Sequence, residues 1–223
     1  MPDRVPVLTI DGPSGSGKGT LARLLANDLG WHLLDSGAIY RSLALFAMQE
    51  ACPLDDVVWL EDLAQLLPVE FKNAQTYVNK LDVTKEIRSE ACGEAASKIA
   101  VFPKVRQALM SRQQAFAQFP GLVADGRDMG TVVFPGAFMK VYLDASAEER
   151  AKRRFSQLKD SGYDASIQDL VADIIQRDLR DKSRAVAPLK PAADAVIIDN
   201  SGMEVTEVFQ MVIEQARQRL SKA

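Results

Sequence analysis

Histidine occurs once in the 223 residues, at His32, and cysteine twice, at Cys52 and Cys92. A zinc or iron–sulfur centre needs several such ligands at short fixed spacings, and a disulfide framework needs more cysteines in a smaller chain, so both classes are excluded. The two thiols are expected to be buried or idle in a reducing compartment. No apolar run approaches the length that crosses a bilayer. The short run behind Asp3 and Arg4 also lacks the long apolar core and small-residue cleavage pattern of a signal peptide, so a cytoplasmic protein without a membrane partner is expected. Positive charge is not in excess: 27 Lys and Arg against 30 Asp and Glu leave a net charge of −3, which offers no global field for a nucleic-acid partner. Any anion must be held by locally clustered cations. Repeats and low-complexity segments are missing too, and the length suits one domain, a monomer, with a small inserted part.

What the chain does carry is glycine in one place. Gly12-Pro13-Ser14-Gly15-Ser16-Gly17-Lys18-Gly19-Thr20 follows the apolar run Val5 to Ile10 and opens a helical pattern through Leu21, Leu24 and Leu25. Strand, glycine loop and helix start in that order make a concave anion site, because successive N–H groups turn inward and the helix adds its positive end. Lys18 is placed to reach the outer phosphates. Gly19 stands where Ser or Thr commonly holds Mg²⁺, and Thr20 comes one residue later, so the metal is expected to be held less directly.

Other short apolar runs recur: Leu122-Val123-Ala124, Val141-Tyr142-Leu143 and Val196-Ile197-Ile198, closing on Asp125, Asp144 and Asp199, with Trp31-His32-Leu33-Leu34 before Asp35 as a further strand. Separated by helical patterns, they predict an α/β fold, a parallel sheet covered by helices on both faces with ligands at the carboxyl ends of its strands. His32, inside such a run, reads as a core residue. The Val205 to Leu220 periodicity predicts a closing helix. Val69 to Lys72 and Thr76 to Val78, flanking polar Asn73-Ala74-Gln75, predict a hairpin in an insert. The charged segment from Ser146 to Arg184 reads as two helices joined around Lys159-Asp160-Ser161-Gly162.

Three further constellations sit at strand ends. After the second strand, Asp35 or Ser36 can cap a helix that carries Arg41 one turn in, a pair suited to a second phosphate. Asp125-Gly126-Arg127-Asp128-Met129-Gly130 offers a strand-end acid that can orient metal-bound water, an arginine for phosphate and a carboxylate for a partner's donor. In the charged arm the apolar stripe Ile167, Leu170, Val171, Ile174 continues at helical spacing into Arg177, Asp181 and Arg184, with Arg180 nearby, so these charges are expected to point inward onto something anionic. The run Arg150, Lys152, Arg153, Arg154 fits a solvated face as well as a nucleotide contact by Arg153 or Arg154. Lys18, Arg41, Arg127, Arg177, Arg180 and Arg184 exceed what one phosphate needs, which points to transfer between two nucleotides. No general base is evident, and an acceptor that is itself a phosphate dianion needs none.

These motifs together resemble bacterial cytidylate kinases, a family of P-loop nucleoside monophosphate kinases. The likeness rests on Gly12 to Thr20, Asp35 to Arg41, Asp125 to Gly130, and Arg177 to Arg184 followed by Ala185-Val186-Ala187-Pro188-Leu189. It implies transfer of the γ-phosphate of ATP to CMP and dCMP with Mg²⁺ as cofactor. It also implies a core of about residues 1–37, 120–150 and 185–223, a monophosphate-binding insert of about 38–119 and a helical lid of about 151–184. ATP falls to Gly12 through Thr20, with Arg154. The CMP contacts implied are Ser36, Arg41, Ser97, Arg106, Arg127, Asp128, Arg177, Asp181 and Arg184, with Ser97, Arg106 and Asp128 facing cytosine. Catalysis falls to Lys18, Arg127, Arg177, Arg180 and Arg184; Thr20 and Asp125 are candidates to reach the metal through water. Without the resemblance, Ser97 and Arg106 would read as helix-surface residues. Two rival readings stand beside this one: a GTP-dependent switch, suggested by Asn79-Lys80-Leu81-Asp82, and a kinase preferring UMP, dTMP or AMP.

Overall fold

The computed structural model describes residues 4–72, 75–160 and 166–221. The strands, in chain order, are β1 Val7–Asp11, β2 His32–Asp35, β3 Val69–Lys72, β4 Gln75–Val78, β5 Leu81–Asp82, β6 Leu122–Gly126, β7 Met139–Asp144 and β8 Val196–Asp199. The helices are α1 Lys18–Leu29, α2 Ser36–Gln49, α3 Val57–Leu66, α4 Glu90–Ile99, α5 Pro103–Gln114, α6 Ala147–Asp160, α7 Ile167–Lys182 and α8 Val205–Leu220. The chain folds as two units, Met1–Leu34 with Phe116–Ala223 and, separately, Asp35–Ala115. Among the described residues no helix is long and apolar enough to cross a membrane.

The first unit is built on a five-stranded sheet of order β2-β6-β1-β7-β8, in which β1 pairs in parallel with β6 and β7, and β7 with β8. The α/β arrangement read from the apolar runs is therefore the one observed. Every residue of β1 is buried, as a central parallel strand with both faces covered requires. Leu8 and Ile10 enter a cluster with Leu21 and Leu25 of α1 and Val208 and Val212 of α8, each such side chain contributing about 1.5–3 kcal/mol. Thr9 and Asp11 turn to the other face, where Asp11 accepts from the N–H groups of Met129 and Gly130, both at 2.8 Å. Those two residues open a single π-helical turn, Met129–Val133, after β6. Register aligns the strand ends: Asp11 lies opposite Gly126 and Tyr142, and Asp144 opposite Asp199. The loops after β1, β6, β7 and β8 thus leave the sheet along one edge.

Local signals account for most boundaries. Helix α1 stops at Gly30, whose φ of 66° supplies the left-handed residue a helix end favours. Helix α8 starts with a reciprocal capping box between Glu204 and Glu207. Trp31 stacks edge-on against Phe138, ring centroids 5.6 Å apart, and a Cβ at Gly121 would be driven into the Trp31 ring. His32 corrects the expectation of a core histidine. β2 is an edge strand, its side chain is exposed, and Nε2 donates to the Phe119 carbonyl at 3.0 Å.

In the second unit Asp35 caps α2 by accepting from Ala38 N–H at 2.9 Å, which settles the choice between Asp35 and Ser36. Asp56 and Ser89 cap α3 and α4 in the same way. Helix α3 carries Trp59, which is exposed. The expected hairpin is present as β3 antiparallel to β4, its loop residues Asn73 and Ala74 lying outside the described ones, and β5 adds a third strand. Asn79 and Lys80, with φ of 50° and 66°, form the turn between β4 and β5, the pattern of a type I′ hairpin. The GTPase-like tetrapeptide is thus a hairpin corner. In the first unit's arm, α6 runs on through Lys159 and Asp160, and the rest of the expected turn, Ser161 and Gly162, lies outside the described residues.

Gly12 shows how tightly the loop after β1 is set, because a Cβ there would be driven into the Leu143 carbonyl oxygen of β7, at a φ of 151°. Gly12→Ala should therefore force β1 and β7 apart and cost about 3 kcal/mol or more. Thermal denaturation should register this as a fall of roughly 6–12 °C in midpoint, and an unchanged midpoint would show that the strands can yield.

Candidate phosphate-binding site

Several backbone carbonyls of the Pro13 to Gly17 loop are gripped by side chains. Lys18 Nζ and Ser16 Oγ donate to the Pro13 carbonyl at 2.6 and 3.1 Å, Arg150 Nη1 to that of Ser14 at 3.1 Å, and Asn200 Nδ2 to that of Ser16 at 2.8 Å. A trans peptide is planar, so a carbonyl held on one side sends the next N–H to the opposite side. The N–H groups of Ser14, Gly15 and Gly17 are aimed in this way. Gly17, at φ 92°, is the N-cap of α1 and has no side chain to cap it, leaving the Lys18 and Gly19 amides for an anion while Thr20 N–H donates to the Gly17 carbonyl at 3.1 Å. Lys18 is only 5% exposed. Burial, followed by the nearby Arg127 guanidinium, holds its ammonium well below the ordinary lysine range, against the pull of Asp125, Asp11 and Asp181. An incoming phosphate would reverse that depression.

Two carboxylates flank this loop in different ways. Asp11 is pushed up to about 6 by burial, the N–H bonds of Gly130 and Met129 working against the rise. Asp125, at the end of β6, has its Oδ2 3.3 Å from where a Cβ on Gly19 would stand. The carboxylate thus reaches the neighbourhood of the residue after the lysine, where a hydroxyl would otherwise be expected, and Thr20 is exposed beside it. Among the described residues no group of three or more His, Cys, Asp or Glu is arranged to hold a metal. One hard carboxylate beside a phosphate cradle suits Mg²⁺, which keeps several waters and takes much of its remaining coordination from substrate phosphates.

Within the second unit, Ser36 Oγ donates to Gln113 Oε1 at 2.8 Å, and Gln113 Nε2 in turn donates to the Leu109 carbonyl. Arg41 Nη1 donates to the Ile87 carbonyl at 3.1 Å, while its own carbonyl accepts from Cys92 Sγ. Ser97 and Arg106 are 4% and 5% exposed, so neither is the helix-surface residue that periodicity alone suggests. The Ser97 hydroxyl is buried with no hydrogen-bond partner among the described residues. The Arg106 guanidinium lies over the Tyr40 ring, 5.8 Å from its centroid, and Nη1 donates to the Ala100 carbonyl.

Several residues around the loop carry no sequence signal. Arg150 is 3% exposed and its fork closes on both oxygens of Asp178, at 3.0 and 2.6 Å. That overturns the solvated-face option for this member of the basic run. Arg153 donates to Asn200 through Nη1 and Nη2, beside Gly17, whereas Arg154 Nη1 reaches Gln157 along its own helix at 3.4 Å. Asp11, Asp178 and Asn200 were likewise outside the expected set, and only their position at strand ends or next to a motif could have singled them out. In the second unit Gln113, the partner of Ser36 on α5, had no such signal.

The α7 face is charged toward its end. Leu170, Val171, Ile174, Arg177 and Asp181 are among its less exposed positions, together with Asp178 and Arg180, although Ile167, expected to begin the stripe, is exposed. Helix α7 stops at Lys182, so Arg184 lies beyond it yet still pairs with Asp181 Oδ1, while Arg127 Nε donates to Asp181 Oδ2 at 3.0 Å. Arg180 is half-buried beside them. Burial would raise the Asp181 carboxyl, but Arg127, Arg184 and Arg177 outweigh it and hold the group below the usual carboxylate range. The same balance holds for Arg127: burial disfavours its charge, and Asp181 and Asp125 more than restore it. A carboxyl lowered by folding adds stability above its ordinary value and loses it as pH falls through the lowered one. Asp181→Asn should therefore lower the thermal midpoint at neutral pH, and the gap to the wild type should close below about pH 4. A gap that stays constant from pH 7 to pH 3 would contradict that origin.

Residues 8–218 match the family model described as cytidylate kinase. The chain is 56% identical over 224 residues to a protein of Aeromonas hydrophila named cytidylate kinase, covering 99% of this chain and 97% of the relative. Proteins of the same name in Aeromonas salmonicida and Shewanella denitrificans are 56% and 53% identical over 227 residues, with at least 99% of each chain covered. Matched over nearly its whole length, and carrying a phosphate loop beside an arginine-rich helix, the chain belongs to the cytidylate kinase family.

Proposed function

We propose that the protein transfers the γ-phosphate of ATP to CMP and dCMP, releasing ADP with CDP or dCDP. The observation that carries this reading is the union, in one unit, of a glycine cradle ending in buried Lys18 with the Arg127–Asp181–Arg184 ion-pair cluster. A single phosphate group would not need both. Gly12 to Thr20 hold the ATP phosphates through backbone N–H groups, and Arg154 remains a candidate donor-nucleotide contact. Lys18, Arg127, Arg177, Arg180 and Arg184 neutralise the oxygens of the group in transit, the role that positioned cations fill in phosphoryl transfer. An oxygen of the CMP phosphate attacks the γ-phosphorus in line, the bond to the β,γ-bridging oxygen breaks, and its electron pair leaves on ADP. A dianionic acceptor has no proton to remove, which agrees with the absence of any histidine other than exposed His32.

Mg²⁺, bound with ATP, would supply additional positive charge to the β- and γ-oxygens. Asp125 and Thr20 are the residues assigned to reach its water shell. Cytosine recognition is assigned to Ser97, Arg106 and Asp128, since a carboxylate accepts from the N4 amino group and a guanidinium donates to O2 or N3. The buried, unpartnered Ser97 hydroxyl supports that assignment. Ser36 and Arg41 are assigned to the CMP phosphate, and Arg177, Asp181 and Arg184 to its sugar and phosphate. The lid segment, about 151–184, takes in most of α6 and all of α7, and the family's other parts fall to a core and a monophosphate-binding insert as the sequence divides them.

ADP release measured across a panel of nucleoside monophosphates should be led by CMP and dCMP, and a flat or AMP-led profile would overturn the acceptor assignment. Arg184→Ala should keep its fold and lose about 10²-fold or more in kcat/KM, because a phosphate in the assembled site would lack its partner. Unchanged turnover at saturating substrates would remove Arg184 from the machinery.

A further inference from the structure

Arg150 donates five hydrogen bonds, and the assigned machinery does not include it. Its Nε donates to the carbonyls of Ala145 and Ser146 at 2.9 and 3.3 Å, Nη1 to the Ser14 carbonyl and to Asp178 Oδ1, and Nη2 to Asp178 Oδ2. One rigid guanidinium thus joins the β7–α6 connection, the phosphate loop and α7. Gly15 packs against the same side chain, a Cβ there falling 3.3 Å from Arg150 Cβ.

Two consequences follow from planarity and helical spacing. The Ser14 carbonyl and the Gly15 N–H belong to one peptide plane, so holding the first outward aims the second into the cradle. Asp178 follows Arg177 directly and precedes Asp181 by three residues, close to one helical turn, so fixing Asp178 fixes the azimuth of α7 at its charged end. The donor-phosphate loop and the helix bearing Arg177 and Asp181 are therefore tied through a single group. Lysine would carry the same charge without the planar fork, and could not serve the Ser14 carbonyl and both Asp178 oxygens at once.

We infer that Arg150 and Asp178 are a pair of positioning residues for phosphoryl transfer, setting the α7 cations in register with the Gly15 amide of the phosphate loop. The inference rests on the kinase reading above. Neither residue touches the reacting atoms. The pair is expected to matter for turnover more than for acceptor affinity, since a displacement of about 1 Å in a charge-stabilising group can cost on the order of 10²-fold in rate.

The test uses the full chain, with wild type, Arg150→Lys and Asp178→Asn assayed together for kcat, both KM values, thermal midpoint and ATP affinity by calorimetry. Asp178→Asn should lose about 10-fold or more in kcat, with ATP affinity within about twofold, because Arg150 still holds the Ser14 carbonyl. Arg150→Lys should lose kcat to a similar or larger extent and also weaken ATP binding several-fold. Should Arg150→Lys fail to fold, Asp178→Asn carries the kinetic comparison alone. Wild-type kcat in folded Asp178→Asn, or losses that merely track the folded fraction, would overturn the inference. If the wild type itself fails to phosphorylate CMP, the kinase reading is what falls. ATP calorimetry on Arg150→Lys then still decides the loop contact: unweakened binding refutes it and weakened binding upholds it.

Discussion

Everything in the first unit's site depends on which way a few peptide groups face. An anion cradle made of main-chain N–H groups works only if the matching carbonyls are satisfied on the far side, since an unpartnered buried carbonyl costs as much as the cradle gains. Here that far side is supplied by Ser16 of the loop, Lys18 at the start of α1, Arg150 of α6 and Asn200 just after β8. The aligned carboxyl ends of the parallel strands make this possible, because they bring the four loops to one edge. Gly12, pressed against β7, fixes where the loop begins.

A second constraint is electrostatic. Arg127, Arg177 and Arg184 surround the Asp181 carboxylate while Asp125 and Asp11 also act on Arg127, so these carboxylates and cations hold one another charged against burial. Lys18 is the exception, its ammonium depressed chiefly by burial and then by Arg127. A phosphate beside it would relieve that cost, so substrate should stabilise the fold by mass action as well as being bound by it.

The motif-level architecture was legible from residue order because its causes are local. Glycines that need unusual backbone angles, apolar runs closing on aspartate, and a cap residue such as Asp35 announce themselves within a few positions. The inward set of Arg177 and Asp181 was legible too, through helical spacing. What escaped was long-range and polar. Asp11 meets Gly130 across 119 positions, Arg150 meets Ser14 across 136, and Asn200 meets Ser16 across 184. Such bonds have no period, and a basic run such as Arg150 to Arg154 looks the same whether one member is buried or none. His32 was misjudged for a related reason: a short apolar run marks a strand without saying whether it lies at the sheet's margin. β5, two residues long and exposed, offered no pattern at all.

The two tryptophans fall one to each unit, Trp31 against Phe138 in the first and exposed Trp59 on α3 in the second. Emission from this chain is therefore the sum of a half-buried indole and a more hydrated one. Replacing either by phenylalanine would leave a single intrinsic fluorophore reporting the loosening of its own half, so that the melting order of the halves can be watched without any attached dye.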